Sequence, residues 1–279
     1  MAYYLDTTAH LERHGGEEGI RDLVESWLGD GTHVTSTHVE REWKRIVYGS
    51  ASDVLNALPG ARSLRDVRAR LRQGFGREPV QRWLVYDMLM EDETCSLEEL
   101  ERRARRFLRT GFEAMFTDRV EARDGSRCGI APRTSVQEPN GQARFPGTCQ
   151  KDQSICDQIA FLNGNRAKSL AAADALQKSA RPDHQALGDK AQQLMGLPER
   201  ERKGSNCYGG KGLGGDISIA AECGPDEILL TTDHSFDVIC PAMGVRQQRF
   251  DGTRMPSARP VAGQAQPKKR GRGKQHKHK

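Results

Sequence analysis

The stretch Ile228-Leu229-Leu230-Thr231-Thr232-Asp233 is a short, near-continuous run of apolar and β-branched residues that ends on an acid. Such a run is typical of a strand that is buried on both faces of a parallel sheet. The N-terminal stretch Ala2-Tyr3-Tyr4-Leu5-Asp6 has the same form, and His33-Val34-Thr35-Ser36 predicts another strand. Because helical patterns separate these strands, we expect an α/β fold with a central, mostly parallel sheet between two layers of helices.

Helical patterns fill most of the chain between the strands. Ser36 or Thr37 is suited to cap a helix whose core-facing residues are Val39, Trp43, Ile46 and Val47. Further helices are predicted over 62–74, 79–92, 97–116, 155–179, 183–195 and 216–223, and a short strand over Val238–Cys240. Thr8 is suited to cap the first helix, which begins after the N-terminal strand.

The change in pattern along the chain predicts its organisation. Residues 1–117 form the first part of the α/β domain together with a helical middle section, and residues 211–250 form its C-terminal part. Between them, residues 118–210 read as a long insertion, irregular at first and then helical, because periodicity is lost and Gly, Pro, Asn and Gln accumulate. Residues 251–279 form a basic tail.

The formal net charge of +5 is concentrated in that tail. Residues 251–279 contain nine Lys and Arg against one Asp, whereas the rest of the chain contains 34 basic and 37 acidic residues. We expect the tail to be disordered because it has little apolar surface to bury. Its basic stretch suits contacts with phosphates; the alternative is a tail that only aids solubility or remains from cloning. The candidate contacts are Lys268, Lys269, Arg270 and Arg272.

Four acidic residues map to the edge of the sheet where parallel strands end. Asp6 and Asp233 follow two strands, and Asp216 opens a helix of small and apolar residues, Ile217-Ser218-Ile219-Ala220-Ala221. The fourth acid lies on the helix after Ser36. Ligands of open α/β sheets bind beyond the carboxyl ends of the strands, and clustered carboxylates can hold divalent cations there.

Helical spacing selects Glu42 over Glu40 as the fourth acid. Glu42 lies three residues after Val39 and so shares the buried side of the helix. Glu40 is one residue from Val39, about 100° around the helix, and is expected to face outward. Taken singly, each acid also has a structural interpretation as a helix cap or turn residue.

The order of these acids resembles that of the PIN-domain nucleases. The resemblance is carried by Tyr4-Leu5-Asp6-Thr7-Thr8, by Val34-Thr35-Ser36 through Glu42-Trp43, by Gly215-Asp216-Ile217-Ser218-Ile219-Ala220-Ala221, and by Leu229-Leu230-Thr231-Thr232-Asp233-His234-Ser235-Phe236. It covers roughly residues 2–50 and 212–245. Many family members have a further acid two residues after the last Asp, where this chain has Ser235.

The resemblance implies a PIN-like three-layer α/β/α fold and metal-dependent hydrolysis of single-stranded RNA or sometimes DNA. Asp6, Glu42, Asp216 and Asp233 would hold Mg²⁺ or Mn²⁺ and carry the catalysis. A toxin of a toxin–antitoxin pair, with an antitoxin as protein partner, is one such role. Two alternatives stay open: a catalytically inactive PIN-like protein that binds nucleic acid or acts as a scaffold, and a metal-dependent phosphatase for small phosphoesters.

Two other motifs invite different chemistry. The loop Gly209-Gly210-Lys211-Gly212-Leu213-Gly214-Gly215 lacks the Ser or Thr after Lys that a P-loop requires. We interpret it either as a linker or as a loop that brings Lys211 to a substrate phosphate. Cys128, Cys149, Cys156 and Cys207 could form a zinc site, although no Cys-x2-Cys pair supports it.

The sequence contains no stretch approaching the roughly 18–20 apolar residues of a membrane helix. Its N-terminus lacks the basic segment and apolar run of a secretory signal. We therefore expect a cytoplasmic protein with reduced thiols.

Overall fold

A computed structural model describes residues 2–73, 79–90, 94–110, 112–125, 130–132, 147–149, 154–203 and 215–253. The strands are β1 Ala2–Leu5, β2 His33–Ser36, β3 Val120–Arg123, β4 Ile130–Pro132, β5 Gly147–Cys149, β6 Glu227–Thr231 and β7 Gln247–Arg249. The helices are α1 Thr7–Gly15, α2 Glu18–Leu28, α3 Thr37–Ala57, α4 Leu64–Gln73, α5 Pro79–Met90, α6 Leu97–Thr110, α7 Phe112–Thr117, α8 Asp157–Gly164, α9 Arg166–Gln177, α10 Pro182–Gly196, α11 Gly215–Glu222 and α12 Phe236–Met243.

The main sheet is parallel throughout and has the strand order β3-β2-β1-β6-β7. Strand β1 lies at its centre and pairs with β6 over four residues, from Ala2 opposite Glu227 to Leu5 opposite Leu230. Strands β4 and β5 form a separate antiparallel pair. The α/β class with a parallel central sheet is therefore confirmed.

Side chains of the two central strands alternate between two hydrophobic clusters. Tyr4 and Leu229 pack into a large cluster with α3, α5, α9, α11 and α12. Leu5 and Leu230 point the other way, into a smaller cluster with α2. Because successive residues of a strand face opposite sides, both faces of the sheet are covered by helices. This is compatible with three α/β/α layers.

The segment predicted as an insertion, residues 118–210, contributes to the main body at both of its described ends. Strand β3 pairs with β2 from His33 opposite Val120 to Ser36 opposite Arg123. Later in the segment, α9 packs on α10, α11 and α12. Backbone pairing with β2 is a non-local interaction, and a four-residue strand within a Gly- and Pro-rich region has too weak a pattern to predict it.

Three local predictions are wrong. The helix predicted over 155–179 is divided at Asn165 into α8 and α9. Val238–Cys240 lies inside helix α12 rather than in a strand. Asp6, not Thr8, is the N-cap of α1, and its side chain accepts a hydrogen bond from the backbone N–H of Ala9. A run of three apolar residues does not distinguish a buried strand from a buried helix.

Across residues 2–73, 79–90 and the later described ranges, no helix is long and apolar enough to cross a membrane.

Helix α3 is fixed to the body by Trp43, which is fully buried. Its ring centroid lies 5.3 Å from that of Phe116 and 6.4 Å from that of His10. Trp43 therefore connects α3, which carries Glu42, to α1 and α7.

We predict that Trp43→Ala lowers the free energy of unfolding by about 3–5 kcal/mol, because it removes a fully buried aromatic side chain and leaves a cavity. Urea denaturation followed by circular dichroism measures the change. Leu23→Ala, at a side chain that is 38% exposed, is the control and should change it by less than about 0.5 kcal/mol. A loss below about 1 kcal/mol at Trp43 would contradict this packing.

Candidate functional site

The order in which the chain adds strands to the sheet changes side at the central strand β1. From β1 the chain proceeds to β2 on one side, whereas β6 is followed by β7 on the other side. A crevice forms at such a reversal, outside the carboxyl ends of the strands. Asp6 directly follows β1, and Asp233 follows β6 after one intervening residue. These two acids therefore lie at the position where α/β sheets usually bind ligands.

Asp6 is only 2% exposed and is held by hydroxyl and amide donors. Its Oδ1 accepts a hydrogen bond of 2.7 Å from the N–H of Ala9, and its Oδ2 accepts one of 2.7 Å from Thr231 Oγ1. Thr8 Oγ1 lies 2.9 and 3.0 Å from the two carboxylate oxygens. Burial raises the pKa of Asp6 to about 7, and the charge of Asp233 adds to this shift while the hydrogen bonds oppose it.

Ser235 joins the acids that follow β6 and open α11. Its Oγ donates to Asp216 Oδ2 at 2.8 Å, and its backbone N–H donates to Asp233 Oδ1 at 2.8 Å. The N–H of Asp233 in turn donates to Thr231 Oγ1 at 2.9 Å. A continuous hydrogen-bond network therefore connects Asp6, through Thr231, with Asp233 and Asp216.

The charges of the other three acids act on Asp216. Burial raises the pKa of its carboxyl well above the usual range, and the charges of Asp233, Glu42 and Asp6 raise it further. The hydrogen bond from Ser235 opposes the shift. The structure thus brings the four acids predicted from the sequence within electrostatic reach of one point. Their negative charges repel one another there, and this repulsion favours binding of a cation.

The two glutamates near the start of α3 have different partners. Glu42 Oε2 accepts a hydrogen bond of 2.7 Å from Thr7 Oγ1, at the start of α1. Glu40 instead forms an ion pair with Lys44, one turn along the same helix, with 2.5 Å between Nζ and Oε1. Glu42 also lies 3.9 Å from Arg45 Nη2, and its side chain is 23% exposed against 24% for Glu40. The expected difference in burial is therefore not observed, and the contact with Thr7, next to Asp6, is what distinguishes Glu42.

The residue types of this cluster fit a hard divalent cation, which prefers carboxylate and water oxygens. Within the described ranges, however, no three His, Cys, Asp or Glu side chains stand close enough to form a ready ligand set. Mg²⁺ usually keeps several waters and uses only one or two carboxylates. An ion held here would therefore have at most one or two carboxylate ligands and would otherwise be bound through water.

Sequence reasoning missed most of the hydroxyl groups that orient the acids. Thr7, Thr8 and Thr231 each contact a site carboxylate, and Ser235 occupies the place where a fifth acid was expected from the resemblance. The sequence feature that could have indicated these threonines is that Thr7-Thr8 and Thr231-Thr232 each stand next to an Asp. Hydroxyl donors fix each carboxylate without adding negative charge.

A cation from the segment 118–210 is also near the acids. Arg181, at the start of α10, is half exposed and forms an ion pair with Asp183, with 2.7 Å between Nη2 and Oδ2. This hydrogen bond raises the pKa of Arg181, and the charge of Asp233 contributes to the shift. Arg181 is therefore within electrostatic reach of the site. Nothing in the local sequence indicated this, because Arg181 lies about 50 residues from Asp233.

Several candidates lie outside the described residues, namely Lys211, Lys268, Lys269, Arg270, Arg272, Cys128 and Cys207. Of the other two proposed zinc ligands, Cys149 is described only as part of strand β5. Cys156 is buried in a small apolar cluster with Ile159 and Leu194. The apolar surroundings of Cys156 are those of a structural thiol.

Comparison of the chain with protein-family models, with curated proteins and with solved structures finds no match.

We predict that Asp216→Asn stabilises the metal-free protein at pH 8, by about 1–3 kcal/mol, because it removes a carboxylate repelled by three neighbours. Folding raises the pKa of Asp216 above its value in the unfolded chain. The protonated carboxyl of Asp216 therefore stabilises the fold fully at a pH below the unfolded-state pKa, and this stabilisation is lost as the pH rises through the folded-state pKa. The increase in the free energy of unfolding caused by Asp216→Asn should therefore be smaller at pH 5 than at pH 8. Thermal unfolding in EDTA at both pH values measures this increase.

Glu40→Gln is the control, because Glu40 is already neutralised by Lys44. It should change stability by no more than about 0.5 kcal/mol at either pH. If Asp216→Asn were equally destabilising at pH 5 and pH 8, Asp216 would be only a structural residue at the start of α11.

Proposed function

We propose that this protein is a PIN-like, metal-dependent endoribonuclease that hydrolyses phosphodiester bonds of single-stranded RNA. In this proposal Asp6, Glu42, Asp216 and Asp233 hold Mg²⁺ or Mn²⁺ and are the catalytic residues. A toxin of a toxin–antitoxin pair is one biological role that such an activity would serve, with an antitoxin as its partner.

The observation that carries the proposal is the hydrogen-bond network that joins Asp6, through Thr231 and Ser235, to Asp233 and Asp216. The raised pKa of Asp216, to which the charges of Asp233, Glu42 and Asp6 contribute, supports it. Asp6 is buried and the other three acids are partly exposed, and carboxyls whose pKa is raised by neighbouring charges often occur at functional sites. Helix capping explains the position of Asp6 in part, but it does not explain why Ser235 holds both Asp233 and Asp216. Their place at the carboxyl ends of the central strands supports a ligand site as well.

The chain's own residues supply positioning and charge. A divalent cation bound there would lower the pKa of a water molecule and balance charge on the phosphate. Thr231 and Ala9 hold Asp6, Thr7 holds Glu42, and Ser235 holds Asp216. Fixed carboxylates need little rearrangement when the phosphate arrives, which is how preorganised sites lower a barrier. Arg181 is positioned to attract the negatively charged substrate.

A polymeric substrate is supported by the point at which the basic tail begins. Glu12, which is buried, accepts hydrogen bonds from Thr253 at 2.9 Å from its N–H and at 2.6 Å from its Oγ1. The preceding Gly252 lies against Thr232, since a Cβ on Gly252 would be 3.1 Å from Thr232 Cγ2. The described part of the chain therefore ends close to Thr232, the residue before Asp233. In this proposal the basic residues that follow contact the phosphates of the RNA.

The alternative is a catalytically inactive PIN-like protein that binds nucleic acid or acts as a scaffold. It is favoured by one observation, the lack of a ready set of three metal ligands in the described part of the chain. A nuclease requires metal-dependent turnover, whereas a scaffold requires only binding. Cleavage of single-stranded RNA separates the two.

We predict that wild-type protein cleaves labelled single-stranded RNA with Mg²⁺ or Mn²⁺ and that EDTA stops the reaction. Asp6→Asn and Asp216→Asn should each lower kcat by at least about 100-fold, because each removes a carboxylate needed for metal-assisted hydrolysis. Gel electrophoresis of the RNA products measures the rate, and circular dichroism shows that both variants are folded.

Glu42→Gln and Glu40→Gln form a matched pair on the same helix. Only the first should impair cleavage, because Glu42 faces Asp216 while Glu40 pairs with Lys44. Full activity in both Asp6→Asn and Asp216→Asn would refute the assignment of the site.

We predict that replacing Lys268, Lys269, Arg270 and Arg272 together by Gln weakens binding to single-stranded RNA. The slope of log K against log salt should fall by roughly 3, because about 0.7 counterions are released for each phosphate contact on a single strand. Fluorescence anisotropy at several salt concentrations measures the slope. Hydrolysis of a dinucleotide, which is too short to reach the tail, should be unchanged. An unchanged slope would show that the tail does not contact RNA.

A further inference from the structure

A second cleft opens at the carboxyl edge of the same sheet. It has a volume of about 190 Å³ and lies where β2 and β3 end. Its lining comprises Tyr4, Thr35, Ser36, Arg123, Asp124, Gly125, Phe161, Asn165, Ala221 and Glu222. Neighbouring strands are about 4.8 Å apart, so the ends of β2 and β3 lie roughly 5–10 Å along the edge from β1, which leads to Asp6.

The size of the cleft suits one small planar group. A water molecule takes up about 30 Å³, so the cleft holds much more than a single water. Pockets for drug-sized ligands measure about 300–1,000 Å³, so a ligand of that size would not be enclosed. A single nucleobase lies between these limits.

The chemistry of the lining suits a base as well. Phe161, on α8, is half-buried and offers an aromatic ring, and such rings stack on bases of single-stranded nucleic acids. Arg123, at the end of β3, forms part of the wall of the cleft, and its Nη2 donates to Glu227 Oε1 in an ion pair. This pairing fixes the guanidinium beside the cleft.

The remaining polar groups are mainly acceptors. Glu222 presents a carboxylate, whose Oε2 accepts a hydrogen bond of 2.8 Å from the hydroxyl of Tyr4. Asn165 donates its Nδ2 to the carbonyl of Phe161 at 3.1 Å, so its Oδ1 is the acceptor end of the amide. Acceptors of this kind bind the amino groups of bases, as carboxylates do with the amino group of cytosine.

Gly125 keeps the carboxylate side of the cleft open. A Cβ at this position would lie 2.5 Å from Glu222 Oε1 and 2.9 Å from Ser36 Cβ. Any larger residue would therefore displace Glu222 from the cleft. The N–H of Gly125 donates to Thr37 Oγ1 at 3.4 Å, which holds this part of the backbone beside the start of α3.

We propose that this cleft binds a nucleobase that carries an exocyclic amino group, in a nucleotide next to the one whose phosphate lies at the four acids. Phe161 stacks on the base, while Glu222 and Asn165 accept hydrogen bonds from its amino edge. Guanine, cytosine and adenine have such a group, whereas uracil presents carbonyl oxygens to these acceptors and is disfavoured. The inference rests on the proposed function, because it assigns base preference to the same nuclease.

The test is equilibrium binding to the full-length Asp216→Asn protein, so that the RNA remains uncleaved. Fluorescence anisotropy compares a short labelled oligouridylate with the same strand carrying one central G, C or A. The amino-bearing strands should bind roughly 5- to 150-fold more tightly, the range for one good base contact. Adding Glu222→Gln should reduce this preference, because an amide also donates to uracil.

Two further substitutions separate stacking from simple filling of the cleft. Phe161→Leu keeps an apolar side chain but loses the ring, so it should weaken binding of the preferred strands by roughly 5- to 150-fold. Phe161→Tyr keeps the ring and should bind as tightly as the parent. Equal affinity for all four strands, with no effect of Phe161→Leu, would overturn the base site.

The two proposals fail separately. If wild-type protein cleaves RNA without base preference and Phe161→Leu leaves cleavage unchanged, the base site is refuted and the nuclease stands. If RNA binds with the expected preference but is never cleaved with Mg²⁺ or Mn²⁺, the nuclease is refuted and the base site is supported.

Discussion

The parallel pairing of β1 with β6 is the interaction on which the rest of the structure depends. It joins residues 2–5 to residues 227–230, so nearly the whole folded chain lies within one closed loop. Closing a loop of this length costs about 5 kcal/mol in chain entropy. Tyr4, Leu5, Leu229 and Leu230 are almost completely buried, and each contributes about 1.5–3 kcal/mol when buried. The same pairing places Thr231 against Asp6, so the fold and the acid cluster form together.

The acid cluster lowers stability at the carboxyl edge of a well-packed sheet. Burial raises the pKa of Asp6 and Asp216, and the charges of neighbouring acids add to both shifts. Hydroxyl and amide donors from Ala9, Thr231 and Ser235 offset part of this cost. Residues chosen for stability alone would not repel one another in this way, and such a balance is typical of sites kept for function. The cluster and the cleft that we propose to bind a base lie at the same edge of the sheet, which is consistent with one bound strand reaching both.

Much of the fold was predictable because its signals are local. The buried runs of β1, β2 and β6, the Ser36 cap of α3 and the helix from Asp216 follow from hydropathy, spacing and capping preference. The structure agrees with these predictions, and the charge of Glu42 contributes to the raised pKa of Asp216. Strand β3, strand β7 and helix α12 were missed or misassigned, because each is only three to eight residues long and its type is decided by what it packs against.

The sequence by itself determined the α/β class, the parallel sheet and the identity of four acids, since alternating strand and helix patterns place residues at known ends of their elements. Only the tertiary structure decided which groups surround those acids. Three hydrogen bonds join residues that lie 19 to 225 positions apart: Thr231 to Asp6, Ser235 to Asp216 and Thr7 to Glu42. Local sequence patterns do not encode contacts between residues so far apart, because such contacts depend on strand order and register. Hydrophobic burial on both faces of the sheet selects that order and register.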